Sequence, residues 1–133
     1  MSLFISSLNS GSNGNCYFIG NKNEAILIDA GISCRTIEQR MKSLHLDINL
    51  IKAVFVSHEH SDHIKGIEIL SKKYNLPVYI SELTYRHSGL HIHKNNLVHF
   101  SDSEVMTFGK ISVHAFRKIH DAKDPYSFCA CDD

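Results

Sequence analysis

The sequence predicts a mixed α/β (α+β) sandwich, and three observations predict it. The chain opens with three short apolar runs separated by clusters of Asn, Gly and Ser, residues whose backbone preferences reverse a chain, so this part reads as an antiparallel meander. The third run, Ala25-Ile26-Leu27-Ile28, is followed by a helical pattern and then by another β-branched run, a strand–helix–strand passage that suggests the edge of an α/β sandwich. That second strand leads directly into His58-Glu59-His60-Ser61-Asp62-His63, with a further helical pattern behind it.

Taken in order, Leu3 to Leu8 reads as the first strand, Cys16 to Ile19 as the second and Ala25 to Ile28 as the third, with turns at residues 10–15 and 21–23. The first turn, Ser10-Gly11-Ser12-Asn13-Gly14-Asn15, invites a second reading, because small residues let backbone N–H groups approach an anion. Ser10, Gly11, Ser12, Gly14 and Asn15 are therefore candidate phosphate contacts. No Gly-Lys-Ser/Thr follows and no helix opens after it, so composition favours a plain hairpin turn. Ser33 is placed to cap a helix whose apolar positions are Cys34, Ile37, Met41 and Leu44.

Lys52 to Ser57 is apolar and β-branched, as a buried strand is. Ile64, Ile67, Leu70 and Tyr74 then recur at helical spacing on a segment ending at Asn75, two residues before Pro77. Pro77 to Ile80 is a fifth strand, and Ser81 can cap a short helix to about His87. Leu90 to Asn96 is polar and undefined. Leu97 to Phe100, Glu104 to Phe108, Lys110 to Phe116 and Tyr126 to Cys131 read as short strands.

A chain of 133 residues is long enough for one domain with a real core. No apolar run approaches the roughly 20 residues that cross a bilayer, and no signal-peptide layout opens the chain, so a cytoplasmic protein with no membrane partner is expected. The four cysteines show no C-x-x-C spacing, which points to buried free thiols in a reducing compartment. Cys129 and Cys131 fit alternate positions on a strand better than a metal pair. Fourteen basic residues balance fourteen acidic ones, so net charge neither supports nor excludes a phosphodiester substrate.

The chemistry is concentrated at residues 58–63. Extended residues two apart point the same way, so His58 and His60 can grip one cation together, while Asp62 and His63 fall at the turn into the helix. Imidazole and carboxylate suit zinc, and also manganese or iron. A hydrolytic site wants a third protein ligand and a position left for water. His91-Ile92-His93 repeats the spacing but lacks the Asp-His and the buried strand, and reads as a polar loop. His45 sits at a helix end; His87 and His99 stand alone. On spacing alone His120 and His114 compete closely for the third position, with the loop beyond Phe116 leaning towards His120.

Four stretches in series, residues 10–15, Leu27-Ile28-Asp29-Ala30-Gly31, Ser57 to His63 and His120-Asp121-Ala122-Lys123-Asp124-Pro125, resemble the YycJ/WalJ-like branch of the metallo-β-lactamase fold, a group of bacterial proteins linked to DNA exonuclease activity. The resemblance implies an αββα sandwich with two metal ions, zinc or manganese, at one edge of the sheets. It implies His58, His60 and His120 around the first ion, Asp62 and His63 on the second, and Asp29 as a support beneath the metal loop. It implies DNA as substrate, hydrolysed through a hydroxide shared by the two ions, with thioester, lactone or small phosphodiester hydrolysis as the alternative within the fold. Family members continue for about as long again and supply a bridging Asp and a last His. Residues 1–133 are therefore expected to be the N-terminal part of such a domain, with a C-terminal half or a second copy completing the sandwich. The other outcome is an inactive half acting only as a subunit.

Overall fold

The computed structural model describes residues 3–118 and 124–132. Two sheets account for the strands, and alternation along each strand decides which layers they join. The larger sheet has six strands in sequence order. Its first three, β1 (Phe4–Asn9), β2 (Cys16–Gly20) and β3 (Ala25–Ile28), form the expected antiparallel meander. From β3 onward the neighbours are parallel: β4 (Ile51–Phe55), β5 (Val78–Tyr79) and β6 (Leu97–Val98). Parallel neighbours need crossovers, and these are α1 (Cys34–Ser43), the pair α2 (Ser61–Ile64) and α3 (Ile67–Tyr74), and α4 (Glu82–Ser88). The smaller sheet is an antiparallel run of β7 (Val105–Phe108), β8 (Ile111–Arg117) and β9 (Tyr126–Asp132).

Period-two alternation splits the larger sheet's side chains between two cores. Ala25, Leu27, Val54 and Val78 face the helices, where Ile37 and Met41 of α1 and Ile67 and Leu70 of α3 close over them. Ile26, Ala53 and Phe55 face the smaller sheet and meet Met106, Ile111, Val113 and Ala115. Phe55 is fully buried there, stacked on Tyr79 at 4.8 Å and edge-on to Phe128 at 5.3 Å. Burial of such a ring contributes about 2–3 kcal/mol. Helix layer, mixed sheet and second sheet thus pack in order, as the α+β sandwich requires.

Local signals set the helix ends. Ser33 and Ser81 cap α1 and α4, each accepting from the N–H three residues on, at 3.2 Å. Asn75 closes α3 in the left-handed conformation, φ 53°. Three details depart from the sequence reading. Leu44 is 47% exposed, because it sits at the C-cap of α1 rather than on its buried stripe. Cys129 and Cys131 are exposed, lying on the outward face of β9 with their sulfurs 4.0 Å apart; only Cys16 and Cys34 are buried. The helix behind the metal loop is broken in two at Lys65-Gly66. There the Gly66 N–H donates to the Ala30 carbonyl at 2.7 Å, and a Cβ on Gly66 would lie 2.1 Å from the Ile32 carbonyl oxygen. The chain kinks to stay against the loop that follows β3.

Candidate metal centre

Residues 58–63 leave the carboxyl end of β4 and are clasped from one side by the loops that follow β1 and β3. The Asn15 N–H donates to the Asp62 carbonyl at 2.7 Å, the Ala30 N–H to the His63 carbonyl at 3.0 Å, and the Gly31 N–H to the Asn15 carbonyl at 2.9 Å. Backbone meets backbone so closely that a Cβ on Gly31 would sit 1.7 Å from the Asp62 carbonyl oxygen. Only glycine fits at that position.

Beneath the loop Asp29 acts as a hub. It is 3% exposed and holds a left-handed backbone conformation, φ 63°. Its Oδ1 accepts the Ser57 N–H at 2.8 Å; its Oδ2 accepts the Ser57 hydroxyl at 2.7 Å and His63 Nδ1 at 2.6 Å. These contacts fix the histidine tautomers. An ionised carboxylate only accepts, so His63 carries its proton on Nδ1. The Ser57 hydroxyl spends its one proton on Asp29, so the 2.9 Å contact between Ser57 Oγ and His58 Nδ1 requires the proton on His58 Nδ1. Imidazoles held by Nδ1 direct the lone pair of Nε2 outwards, which is how a supporting carboxylate prepares a histidine for a metal ion. Burial alone would lower the pKa of His63, but the hydrogen bond and charge of Asp29, helped by Asp62, outweigh it and leave the imidazole above its ordinary value.

The imidazoles of the loop lie close to one another. His58, 4% exposed, lies with ring centroids 3.8 Å from His63 and 4.7 Å from His60. Asp62 Oδ2 is 3.6 Å from His63 Nε2. Among the described residues no three His, Cys, Asp or Glu side chains form a closed ligand group. His120, the expected third ligand, lies outside the described residues. The donor set nonetheless suits a divalent cation, since two imidazoles are presented by Nε2 with a carboxylate beside them.

The remaining sequence candidates fall elsewhere. His114 lies on β8 opposite Cys129, and His91 and His93 are exposed, the latter accepting from the Asn95 N–H to cap a single 3-10 turn, Lys94–Asn96. The 10–15 turn is committed internally. Gly11 N–H donates to the Asn15 side chain and Gly14 N–H to the Gly11 carbonyl, while Asn15 Nδ2 reaches Asp62 Oδ2 and His63 Nε2, each at 3.3 Å. Ser10 and Ser12 remain exposed beside it. Two roles escaped the sequence reading: Ser57 as relay to His58, and Asn15 as a clamp on the metal loop. The adjacency of Ser57 to His58 was the only signal for the first.

The sequence profile of the metallo-beta-lactamase superfamily matches residues 10–125. The chain belongs to this superfamily. Its fold is shared with a solved B3 metallo-beta-lactamase described as having an active-site glutamic acid, at a TM-score of 0.82 and 17% identity over 95% of this chain and 53% of that one. Among curated superfamily relatives, exodeoxyribonuclease YycJ of Bacillus anthracis is 42% identical over 96% of this chain and 50% of its own length. Exodeoxyribonuclease WalJ of Streptococcus pneumoniae serotype 2 is 32% identical over 89% of this chain and 46% of its own length. The chain spans about half the length of these curated relatives. Among the described residues no helix is long and apolar enough to cross a membrane.

Proposed function

We propose that this chain carries the metal-binding part of a cytoplasmic, metal-dependent phosphodiesterase that degrades DNA from an end. The observation that carries the reading is the tautomer control of His58 and His63 by Asp29, which prepares both rings to hold a cation on Nε2. His58 and His60, completed by His120, are assigned to one ion, and Asp62 and His63 to a second. Zinc or manganese suits the mixture of imidazole and carboxylate. When bound, such ions supply Lewis acidity that polarises a phosphoryl oxygen and acidifies a water.

The chain's own groups orient and hold. Asp29 and Ser57 hold a proton on Nδ1 of each imidazole and turn Nε2 outwards, and the Gly31 and Asn15 contacts set the position of the Asp62 and His63 backbone. Ser10 and Ser12, exposed beside Asn15, are assigned to contacts with phosphate oxygens. The choice of DNA rests on the similarity to YycJ and WalJ, both named exodeoxyribonucleases. The test uses a form of the protein as long as those relatives. It should release nucleotides from linear duplex DNA, spare covalently closed circles, and stop on chelation. Turnover of thioesters or lactones with no nucleotide release would transfer the site to small-molecule hydrolysis.

A further inference from the structure

The parallel run β3-β4-β5-β6 brings every loop at the carboxyl ends of these strands to one edge of the larger sheet, the edge at which open α/β sheets bind ligands. Asp29 follows β3 and the metal loop follows β4. Beyond them along the same edge lies a cavity of about 620 Å³, lined by Ser81 and Glu82 after β5, Ser101 after β6, Arg86 of α4, and Arg117 and Asp124 at the β8–β9 end. The cavity is tied to the metal loop by backbone, since the Tyr126 N–H donates to the Ser57 carbonyl at 2.8 Å. Its size lies within the roughly 300–1,000 Å³ of small-ligand pockets.

Two guanidinium groups give the cavity its chemistry. Arg117 is held in place: its N–H donates to Asp102 at 2.9 Å, its Nε to the buried Asp124 carboxylate at 3.0 Å, and its guanidinium lies 5.8 Å from the Tyr126 ring centroid. It is still 59% exposed. Arg86 pairs with Glu82 at 3.1 Å and is 66% exposed. Arg117 Nη2 also donates to the Tyr126 hydroxyl at 3.4 Å, which leaves its other terminal nitrogen, Nη1, for a phosphate, and a guanidinium's planar fork matches phosphate oxygens. Glu82 and Asp124 balance the two arginine charges of the lining, which suits a singly charged phosphodiester of a nucleic-acid strand better than a polyphosphate.

Resting on the phosphodiesterase reading, we propose that this cavity is the backbone-binding subsite for the DNA strand being digested, with Arg86 and Arg117 each taking one phosphate neighbouring the scissile one. The 133-residue chain is titrated into fluorescein-labelled oligo(dT) in EDTA, so that neither metal nor hydrolysis contributes, and anisotropy is followed over a series of salt concentrations. Single-strand binding loses about 0.7 of log–log salt slope per phosphate contact removed. Arg86→Gln with Arg117→Gln should therefore flatten the slope by about 1.4 and weaken binding at least about fivefold at low salt. Arg86→Gln alone breaks only an exposed pair and should give half the slope change with an unaltered fold, while Arg117→Lys should retain most of it. Lys22→Gln with Lys52→Gln, two exposed charges at the opposite edge, should leave the slope unchanged. Wild-type slopes in both arginine variants would overturn the subsite while leaving the enzyme reading standing. Absence of salt-dependent oligonucleotide binding by the wild-type chain would also overturn it, whereas the enzyme reading fails separately, on hydrolysis of linear DNA by the longer form.

Discussion

Gly31→Ala should dislodge the metal loop without touching a ligand. The new Cβ would lie 1.7 Å from the Asp62 carbonyl oxygen, 2.3 Å from its carbon and 2.7 Å from the Asn15 nitrogen, all backbone atoms that cannot swing aside. Restoring an ordinary carbon–oxygen contact of about 3.2 Å moves the loop by about 1.5 Å. That displacement breaks the hydrogen bonds from Asn15 and Ala30 to the Asp62 and His63 carbonyls. Two lost hydrogen bonds at about 1 kcal/mol each, with overpacking strain of about 1–3 kcal/mol, predict a loss of about 3–5 kcal/mol. Metal–ligand distances tolerate only about 0.2 Å, so zinc affinity should fall at least about 100-fold. The assays are urea denaturation of the metal-free chain and zinc competition against a chromophoric chelator. Gly89→Ala is the control: Gly89 also has a left-handed backbone, φ 74°, but nothing lies within 4 Å of its Cβ position. It should cost about 1 kcal/mol and leave zinc binding intact. A Gly31→Ala chain with wild-type stability and zinc affinity would refute the clasp.

Asp29→Asn leaves a donor where His63 Nδ1 needs an acceptor, so zinc affinity should drop about 10- to 100-fold with the fold retained. In the metal-free chain an NMR titration should show the His63 pKa falling, since Asp29 is what raises it. A raised histidine pKa stabilises below its unfolded value and the benefit disappears as pH rises through the folded one, so the wild type's advantage from this pair should be largest near pH 5–6 and shrink above. On the helix face, the Lys73 ammonium and then the Tyr74 hydroxyl hold Glu38 below the usual carboxylate range. A lowered carboxylate pKa stabilises above the unfolded value and the benefit is lost on acidification. Glu38→Gln should therefore lower the unfolding midpoint at pH 7, and the difference should shrink as acidification passes through the lowered folded value. His60→Ala should reduce bound zinc by elemental analysis, while His91→Ala and His93→Ala, in an exposed loop, should not.

Signals carried within a few residues were readable in the sequence. The capping hydroxyls of Ser33 and Ser81, the stop at Asn75 and the alternation of Ala25 to Ile28 each specify their element locally. The position of residues 58–63, between a strand end and a helix start, was readable for the same reason. What escaped depends on contacts far apart in the chain. The helix breaks at Gly66 because Ala30 and Ile32 lie against it, and Asn15 clamps the loop from 47 positions away in the chain. Ser57 looked like the end of a strand, yet its single proton, given to Asp29, determines which nitrogen of His58 is available. The exposure of Cys129 and Cys131 follows from which face of β9 meets the larger sheet, and alternation alone does not choose between two faces.

The assignment of residues 58–63 as a metal-holding loop is tested most directly by an anomalous-difference map from crystals of the chain grown with zinc. A peak at about 2.0–2.1 Å from Nε2 of His58 and from a ring nitrogen of His60 is the predicted result. Full-occupancy zinc at Cys129 and Cys131, with no peak at His58 and His60, would contradict it.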